Sequence, residues 1–397
     1  MAPAGARAAA GFLTLLLLFG VITLWVPARW PLAVLQVGVF ALAAVWALRL
    51  AWRGARPRWC WPLSALAGVL LWGLLQLAFD WTVYRFATWD SVLTWTMYLA
   101  LVWLAVELLS WRELRTRFRA RLLWFGFLLS IASTVFYFTT PGKVFGVFAV
   151  DYRAVGPFLN RDHYCTFVEL IVPLALWEAL QDPRKAWSRG MMVGTMLASV
   201  IVGASRAGSI LVTLEILLGL FLVLESRSTE RGPGVRALAW TGLFAAAFVT
   251  VVGWEVLWQR FRQPDPFQGR REMLQSSLAM LRERPWTGFG MGAWPTVYPA
   301  YAVWMLDPSL YVNHAHNDWA EWAVEGGLPM LVLLASVGLW CLRRALEAPW
   351  GLGVVAALAH STVDFPMQRP ALAAAVFAVV GALGAIGPRR GSVRAGP

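Results

Sequence analysis

Apolar runs of 18 or more residues recur from one end of this 397-residue chain to the other, and no other feature restricts its fold as severely. A helix of that length crosses a hydrocarbon core of about 30 Å. A span without water must satisfy its backbone hydrogen bonds internally, so each run is expected to be helical. Hydrophobic residues make up 59% of the chain and charged residues 14%, against about 25% charged in an ordinary soluble domain. The pattern predicts an all-α, polytopic integral membrane protein of about twelve spans. They fall near 9–27, 32–51, 61–80, 91–110, 121–140, 163–181, 189–204, 207–225, 237–258, 316–342, 350–364 and 370–388. No small-residue cleavage site follows Gly11 to Val26, and spans continue directly, so that run reads as the first span and not as a signal peptide. Residues 1–397 form one membrane domain, with one large extramembrane loop, 259–315, between spans nine and ten.

The formal charge of +12 would suggest nucleic acid in a soluble protein. Here its distribution gives a different meaning. One alternate set of loops and ends holds Arg7, Arg49 to Arg58, Arg112 to Arg121, Arg184 to Arg189, Arg227 to Arg236, Arg343, Arg344 and Arg389 to Arg394, 21 of the 34 basic residues. The positive-inside rule then places both termini in the cytoplasm, with 141–162 and 259–315 on the other side, the periplasm or the exterior. Three scattered cysteines, Cys60, Cys165 and Cys341, offer neither a disulfide framework nor a metal cluster. Within the long loop, Arg271 to Arg284 reads as an amphipathic helix with Met273, Leu274, Ser277, Leu278 and Leu281 on one face. It lies either along the membrane surface or against the bundle.

The polar residues that do not fit an apolar bundle gather on that same side. His163 opens the sixth span in Asn160-Arg161-Asp162-His163. His314 and His316 precede the tenth in Asn313-His314-Ala315-His316-Asn317-Asp318. His360 closes the eleventh, followed by Asp364. Ionisable groups at membrane depth point to function, although an interface histidine alone is often only hydrogen-bonded. The i, i+2 spacing of His314 and His316, without an HExxH motif, argues against zinc. Arg206 lies in Ser205-Arg206-Ala207-Gly208, between two spans with almost no loop. Ser205 is suited to cap the following helix, and a helix start beside a fixed arginine suits an anion. Arg161 and Arg270-Arg271 share its side, so a diphosphate fits the set. Snorkelling to lipid headgroups explains Arg282 and Arg284 better than it explains Arg206. Gly288-Phe289-Gly290-Met291-Gly292 follows no strand and reads as a tight turn with close backbone approach, not as a nucleotide loop. Glu325-Gly326-Gly327, inside the tenth run, reads as a kink or a close helix contact.

Taken in order, these motifs resemble the O-antigen ligase family, which shares its core with Wzy-type polymerases. Gly-Pro-Phe-Leu-Asn-Arg-Asp-His at 156–163 is similar to the family's Asn-Arg-Asn-His segment, with Asp162 in place of the second Asn. Ser205 to Gly208 is similar to its Ser-Arg turn, Gly269-Arg270 to the opening of its loop helix, and Pro285 to Gly292 to its glycine stretch. His314 to Asp318 and His360 to Pro366 resemble the motifs on either side of the last spans. The resemblance covers roughly 140–370. It implies a metal-independent glycosyltransferase of the GT-C type without a cofactor. Such an enzyme passes a glycan from undecaprenyl diphosphate to lipid A–core in lipopolysaccharide biosynthesis, amid membrane lipids and without nucleic acid.

On that basis Arg206 and Arg270 are expected to hold the diphosphate, with Arg161 weaker if Asp162 pairs with it. His316 is expected to engage the acceptor hydroxyl, and Asn317 to fix His316. Asn160, His163, His314, His360 and Asp364 are expected to support substrate binding. A Wzy-like polymerase or a protein O-oligosaccharyltransferase shares this chemistry. A small-anion transporter fits less well, because the polar residues cluster at one surface and no inverted repeat is visible.

Overall fold

The computed structural model describes residues 1–150, 154–225, 231–264, 267–302 and 311–387. Arg227, Arg389, Arg390 and Arg394, which contribute to the predicted orientation, lie outside the described residues. The chain is mostly helical. It begins with α1 (Ala4–Ile22), α2 (Trp30–Trp52), α3 (Trp61–Ala78), α4 (Arg85–Leu108) and α5 (Arg112–Thr139). A two-residue hairpin, β1 (Lys143–Val144) with β2 (Phe148–Ala149), follows. Next come α6 (Arg161–Gln181), α7 (Ala186–Gly203), α8 (Arg206–Glu225), α9 (Arg231–Val252) and α10 (Glu255–Phe261). The segment after them carries α11 (Gln268–Glu283) and α12 (Trp294–Val297). The chain closes with α13 (Asp318–Glu347), α14 (Leu352–His360) and α15 (Pro370–Gly384).

Each apolar run coincides with helix. Among the described residues, α1 to α6 and α13 are long and apolar enough to cross a membrane, while α14 and α15 are shorter apolar helices. The ninth run is not one straight span. It breaks at Gly253, where α9 and α10 meet at 88°, because a glycine at φ +80° turns the chain out of the helix. The eleventh run also stops being helical early, at His360, and Asp364 lies in the turn beyond it.

Burial ranks the helices. In α6, 83% of the apolar window is enclosed, against 22% in α2, so α6 is the central post and α2 a peripheral one. Close packing around α6 relies on small residues. Gly190 and Gly194 of α7, one turn apart, face the α9 backbone at Trp240-Thr241 and Phe244-Ala245. A Cβ at either glycine would meet backbone atoms within 2.8 Å. This is small-residue helix contact of the kind membrane bundles favour.

The amphipathic helix is α11, and it packs on the bundle. Its buried face is Glu272, Met273, Ser276, Ser277 and Met280; of the expected face, Met273 and Ser277 are buried, Leu274 and Leu281 are half-buried, and Leu278 is 44% exposed. Hydrogen bonding decides the rotation. The Tyr298 hydroxyl donates to Glu272 Oε2 (2.6 Å) and Trp294 Nε1 donates to Ser277 Oγ (3.0 Å). The glycine stretch forms the expected tight turn. It lies against a kink in α13, at Gly327 (φ +65°, ψ −171°). Gly290 N–H donates to the Glu325 carbonyl (3.0 Å) and Leu328 N–H to that of Pro285 (2.8 Å). A Cβ at Gly288 or Gly327 would lie 2.3 Å from a backbone oxygen of the other segment.

Candidate active site

The site is built around Asp364. Its carboxylate has no exposed surface, yet it is surrounded by donors from three separate parts of the chain. Oδ1 accepts from His316 Nδ1 at 2.9 Å and faces Arg270 Nη2 at 3.7 Å. Oδ2 accepts from Asn160 Nδ2 at 3.1 Å and lies 3.5 Å from His163 Nε2. Burial alone would push this carboxyl up. The His316 hydrogen bond and the charges of His163, His316 and Arg270 outweigh burial and hold it at about 2.

Local capping explains why these groups meet. Asn160 caps α6 by accepting from Asp162 N–H (2.8 Å), which leaves its amide nitrogen directed at Asp364. Asn317 caps α13 by accepting from Ala320 N–H (3.0 Å). Its hold on His316 is therefore exerted through the helix start. Asp318 N–H then donates to the carbonyls of Ser361 (2.9 Å) and Asp364 (3.3 Å), and Met367 N–H donates to Asp318 Oδ2 (3.0 Å). These bonds clamp the start of α13 onto the turn after α14. His316 adopts φ +50°, a left-handed conformation uncommon outside glycine and asparagine. Its side chain is 32% exposed, and among the described residues no group bonds its Nε2. A carboxylate on Nδ1–H leaves Nε2 as the free basic position, the arrangement a general base needs.

A second histidine–carboxylate pair lies alongside. His314 Nδ1 is 2.9 Å from Glu321 Oε1, while Glu321 Oε2 accepts from Ala315 N–H (2.8 Å). Phe365 separates the imidazoles: it stacks on His314 (4.5 Å between centroids) and meets His316 and His163 edge-on (4.6 and 4.7 Å). His163 is buried beneath this layer. His360 is more distant still. It is fully enclosed and paired at 2.8 Å with Glu169 of α6, which is equally buried, so neither touches the surface of the site.

The arginines form the other half. Arg270 Nη2 lies 3.0 Å from Asp162 Oδ2, so Asp162 engages Arg270 and not Arg161. Consecutive residues on a helix point about 100° apart, and the first turn of α6 leaves Arg161 exposed. Ser205 caps α8, accepting from Gly208 N–H at 3.0 Å. That fixes Arg206, whose Nη1 donates to the Arg260 carbonyl (3.2 Å) and whose guanidinium lies over Phe267 (5.1 Å). Arg260, Arg206, Arg161 and Arg270 repel one another, with Asp162 the opposing charge. Among the described residues there is no group of three or more His, Cys, Asp or Glu arranged to hold a metal ion.

Sequence reasoning passed over Arg260, Glu321, Phe365 and Glu169. The two glutamates carried a signal, since each is a carboxylate inside an apolar run. Arg260 looked like an ordinary loop arginine, and nothing in the pattern marked Phe365 as a wedge.

The fold and this site define a polytopic helical membrane protein with an ionisable cluster at one end of its bundle, cationic on one flank and histidine-rich on the other. Residues 191–335 match the family model described as O-antigen ligase. The matched stretch contains Arg206, Arg270 and His316; Asn160, His163, His360 and Asp364 flank it. No curated protein matches the chain.

Proposed function

We propose that the protein is an O-antigen ligase that transfers a glycan from undecaprenyl diphosphate to lipid A–core at the periplasmic face of the inner membrane. The observation that carries this reading is the Asp364–His316 pair, with Nε2 free, next to Arg270. In this reading the bundle is a twelve-span, single-domain GT-C enzyme with both termini cytoplasmic, and 259–315 is its periplasmic loop. The arginine-rich loops at the end opposite Asp364 support that orientation.

Arg206 and Arg270, with Arg161 at the rim, bind the diphosphate. They oppose the charge that grows on its oxygen as the sugar departs. Asp162 keeps Arg270 aimed. The acceptor hydroxyl oxygen bonds to the anomeric carbon, and the bond from that carbon to the diphosphate oxygen breaks. The electron pair leaves with undecaprenyl diphosphate, and the hydroxyl proton passes to His316 Nε2. Asp364 stabilises the imidazolium this creates. His314 orients the acceptor, while Asn160, His163 and His360 hold Asp364 and its turn in place. No step requires a metal ion.

The test is reconstitution of the purified protein with an undecaprenyl diphosphate glycan, offering lipid A–core, a second carrier-linked glycan or a pilin-like protein in turn. Mass gain by lipid A–core is expected, and is expected to vanish in His316→Ala while carrier binding persists. Gain by the second glycan alone identifies a polymerase, and gain by the protein alone an O-oligosaccharyltransferase. Anion flux without transfer revives the transporter reading. Normal transfer by His316→Ala removes the base from the mechanism.

A further inference from the structure

The far end of α6 borders a second charged cavity that the transfer reaction does not use. It is a cleft of about 390 Å3 between the start of α5, the end of α6 and the turn before α14. Arg112, Arg115 and Arg119 line it from α5 at i, i+3 and i+7, one face of the helix. Lys185 adds a fourth cation. Trp177 and Trp350 form apolar walls, and the Arg119 guanidinium lies 5.0 Å over the Trp350 ring.

Two carboxylates also line the cleft, and both are engaged. Glu178 Oε2 accepts from Arg189 Nε at 2.9 Å. Asp182 lies 3.9 Å from Lys185 Nζ and accepts from Arg184 N–H at 3.1 Å. Arg112, Arg115 and Arg119 repel one another, Glu178 is the opposing charge on Arg119, and Arg115 Nη1 donates to the Leu109 carbonyl (2.8 Å); among the described residues no ion pair engages any of the three. Arg119 Nε is moreover buried without a hydrogen-bond partner. A buried charged donor left open is costly. Three converging guanidiniums above a tryptophan wall complement an anion with several acceptor oxygens.

We propose that this cleft binds a phosphate group, carried by an acidic phospholipid or free in solution. Basic pockets between transmembrane helices at the cytoplasmic side are suited to acidic headgroups, and the tryptophans suit the boundary between headgroup and chain. The phosphate bridges α5, α6 and the Trp350 turn. The 21 residues of α6 rise about 30 Å from this cleft to Asn160 and His163. Trp350 precedes α14, which ends at His360. An anion here therefore braces the two helices that present Asp364 with its partners. The site is independent of the transfer chemistry.

The experiment uses the full chain in nanodiscs of phosphatidylcholine with a fixed fraction of phosphatidylglycerol. Lipids retained on release are counted by native mass spectrometry. A parallel arm adds inorganic phosphate to phosphatidylcholine-only discs and reads the shift in thermal midpoint. Wild type is expected to retain phosphatidylglycerol, or to gain midpoint with phosphate; the arm that responds identifies the source. Arg112→Gln removes an exposed charge, and Thr116→Trp fills the cleft while keeping every charge. Each is expected to weaken the response about tenfold, the scale of one charge-assisted hydrogen bond. Equal retention and equal midpoint shifts in wild type and both variants overturn the proposal, as does a wild type that responds in neither arm.

Discussion

Replacing Asp364 by Asn tests the centre of the site with the smallest change of shape. A carboxylate accepts on both oxygens, and here Oδ1 takes His316 Nδ1 and Oδ2 takes Asn160 Nδ2. An amide accepts on one atom only. Whichever way the substituted amide is turned, one of those donors meets a second donor. The charge opposing Arg270 at 3.7 Å also disappears. A hydrogen bond to a charged group contributes about 1.5–3 kcal/mol, equal to a roughly 10- to 150-fold fall in kcat at about 1.4 kcal/mol per decade. Donor KM is expected to change far less, because Arg206 is untouched. The ionisation of Asp364 sets the pH behaviour. Its folded-state carboxyl sits at about 2, below its ordinary 3.8, so the stability it contributes is fully present above the unfolded value. That stability is lost as pH falls through the folded-state value. Between pH 5 and 9 Asp364 stays ionised, and any inflection in the rate belongs to another group. The assay is glycan transfer in proteoliposomes, with a thermal melt to establish folding. A folded Asp364→Asn enzyme within threefold of wild-type kcat refutes the role assigned to the pair.

Four further outcomes follow from the same geometry. Arg206→Ala is expected to weaken binding of labelled undecaprenyl diphosphate glycan by about tenfold or more, and equal binding would remove Arg206 from the diphosphate site. Glu169→Ala strands His360 in the bundle, and losing one partner of a buried pair costs about 3–5 kcal/mol; the thermal midpoint should fall sharply, and an unchanged melt contradicts that reading. Gly327→Ala places a Cβ 2.3 Å from the Trp286 carbonyl oxygen at a positive φ, so little folded protein should be recovered by size-exclusion chromatography, in contrast to Ala at exposed Gly242, where a Cβ meets nothing within 4 Å. Chelators should leave transfer unchanged; loss of transfer, restored by a divalent cation, would overturn the metal-free mechanism.

Much of this molecule is legible in its sequence because membrane insertion leaves so few choices. The apolar runs mark the helices, Ser205 marks a cap, and the glycines at 288–292 and 326–327 mark a close backbone contact. What the chain alone conceals is partnership at long range. His316 and Asp364 are 48 residues apart, and no local rule joins them. Asp162 looks like the partner of its neighbour Arg161, yet tertiary packing gives it Arg270, 108 residues away. In α11 the pattern suggests one face of Met273, Leu274, Ser277, Leu278 and Leu281. Met273 and Ser277 are buried as expected, but the hydrogen bond from Tyr298 to Glu272 turns the helix so that Glu272 is enclosed and Leu278 is exposed, because a buried polar group left unsatisfied is costly.

The clamp between Asp318 and the carbonyls of Ser361 and Asp364 has a consequence for how the protein comes into being. Synthesis delivers Arg270 and His316 well ahead of Asp364, the carboxylate that both of them face. Until the turn after α14 emerges, His316 has no partner on Nδ1 and nothing holds its left-handed backbone. In the proposed mechanism, a chain cut before that turn therefore lacks the partner of its base, whatever else of the bundle has already formed.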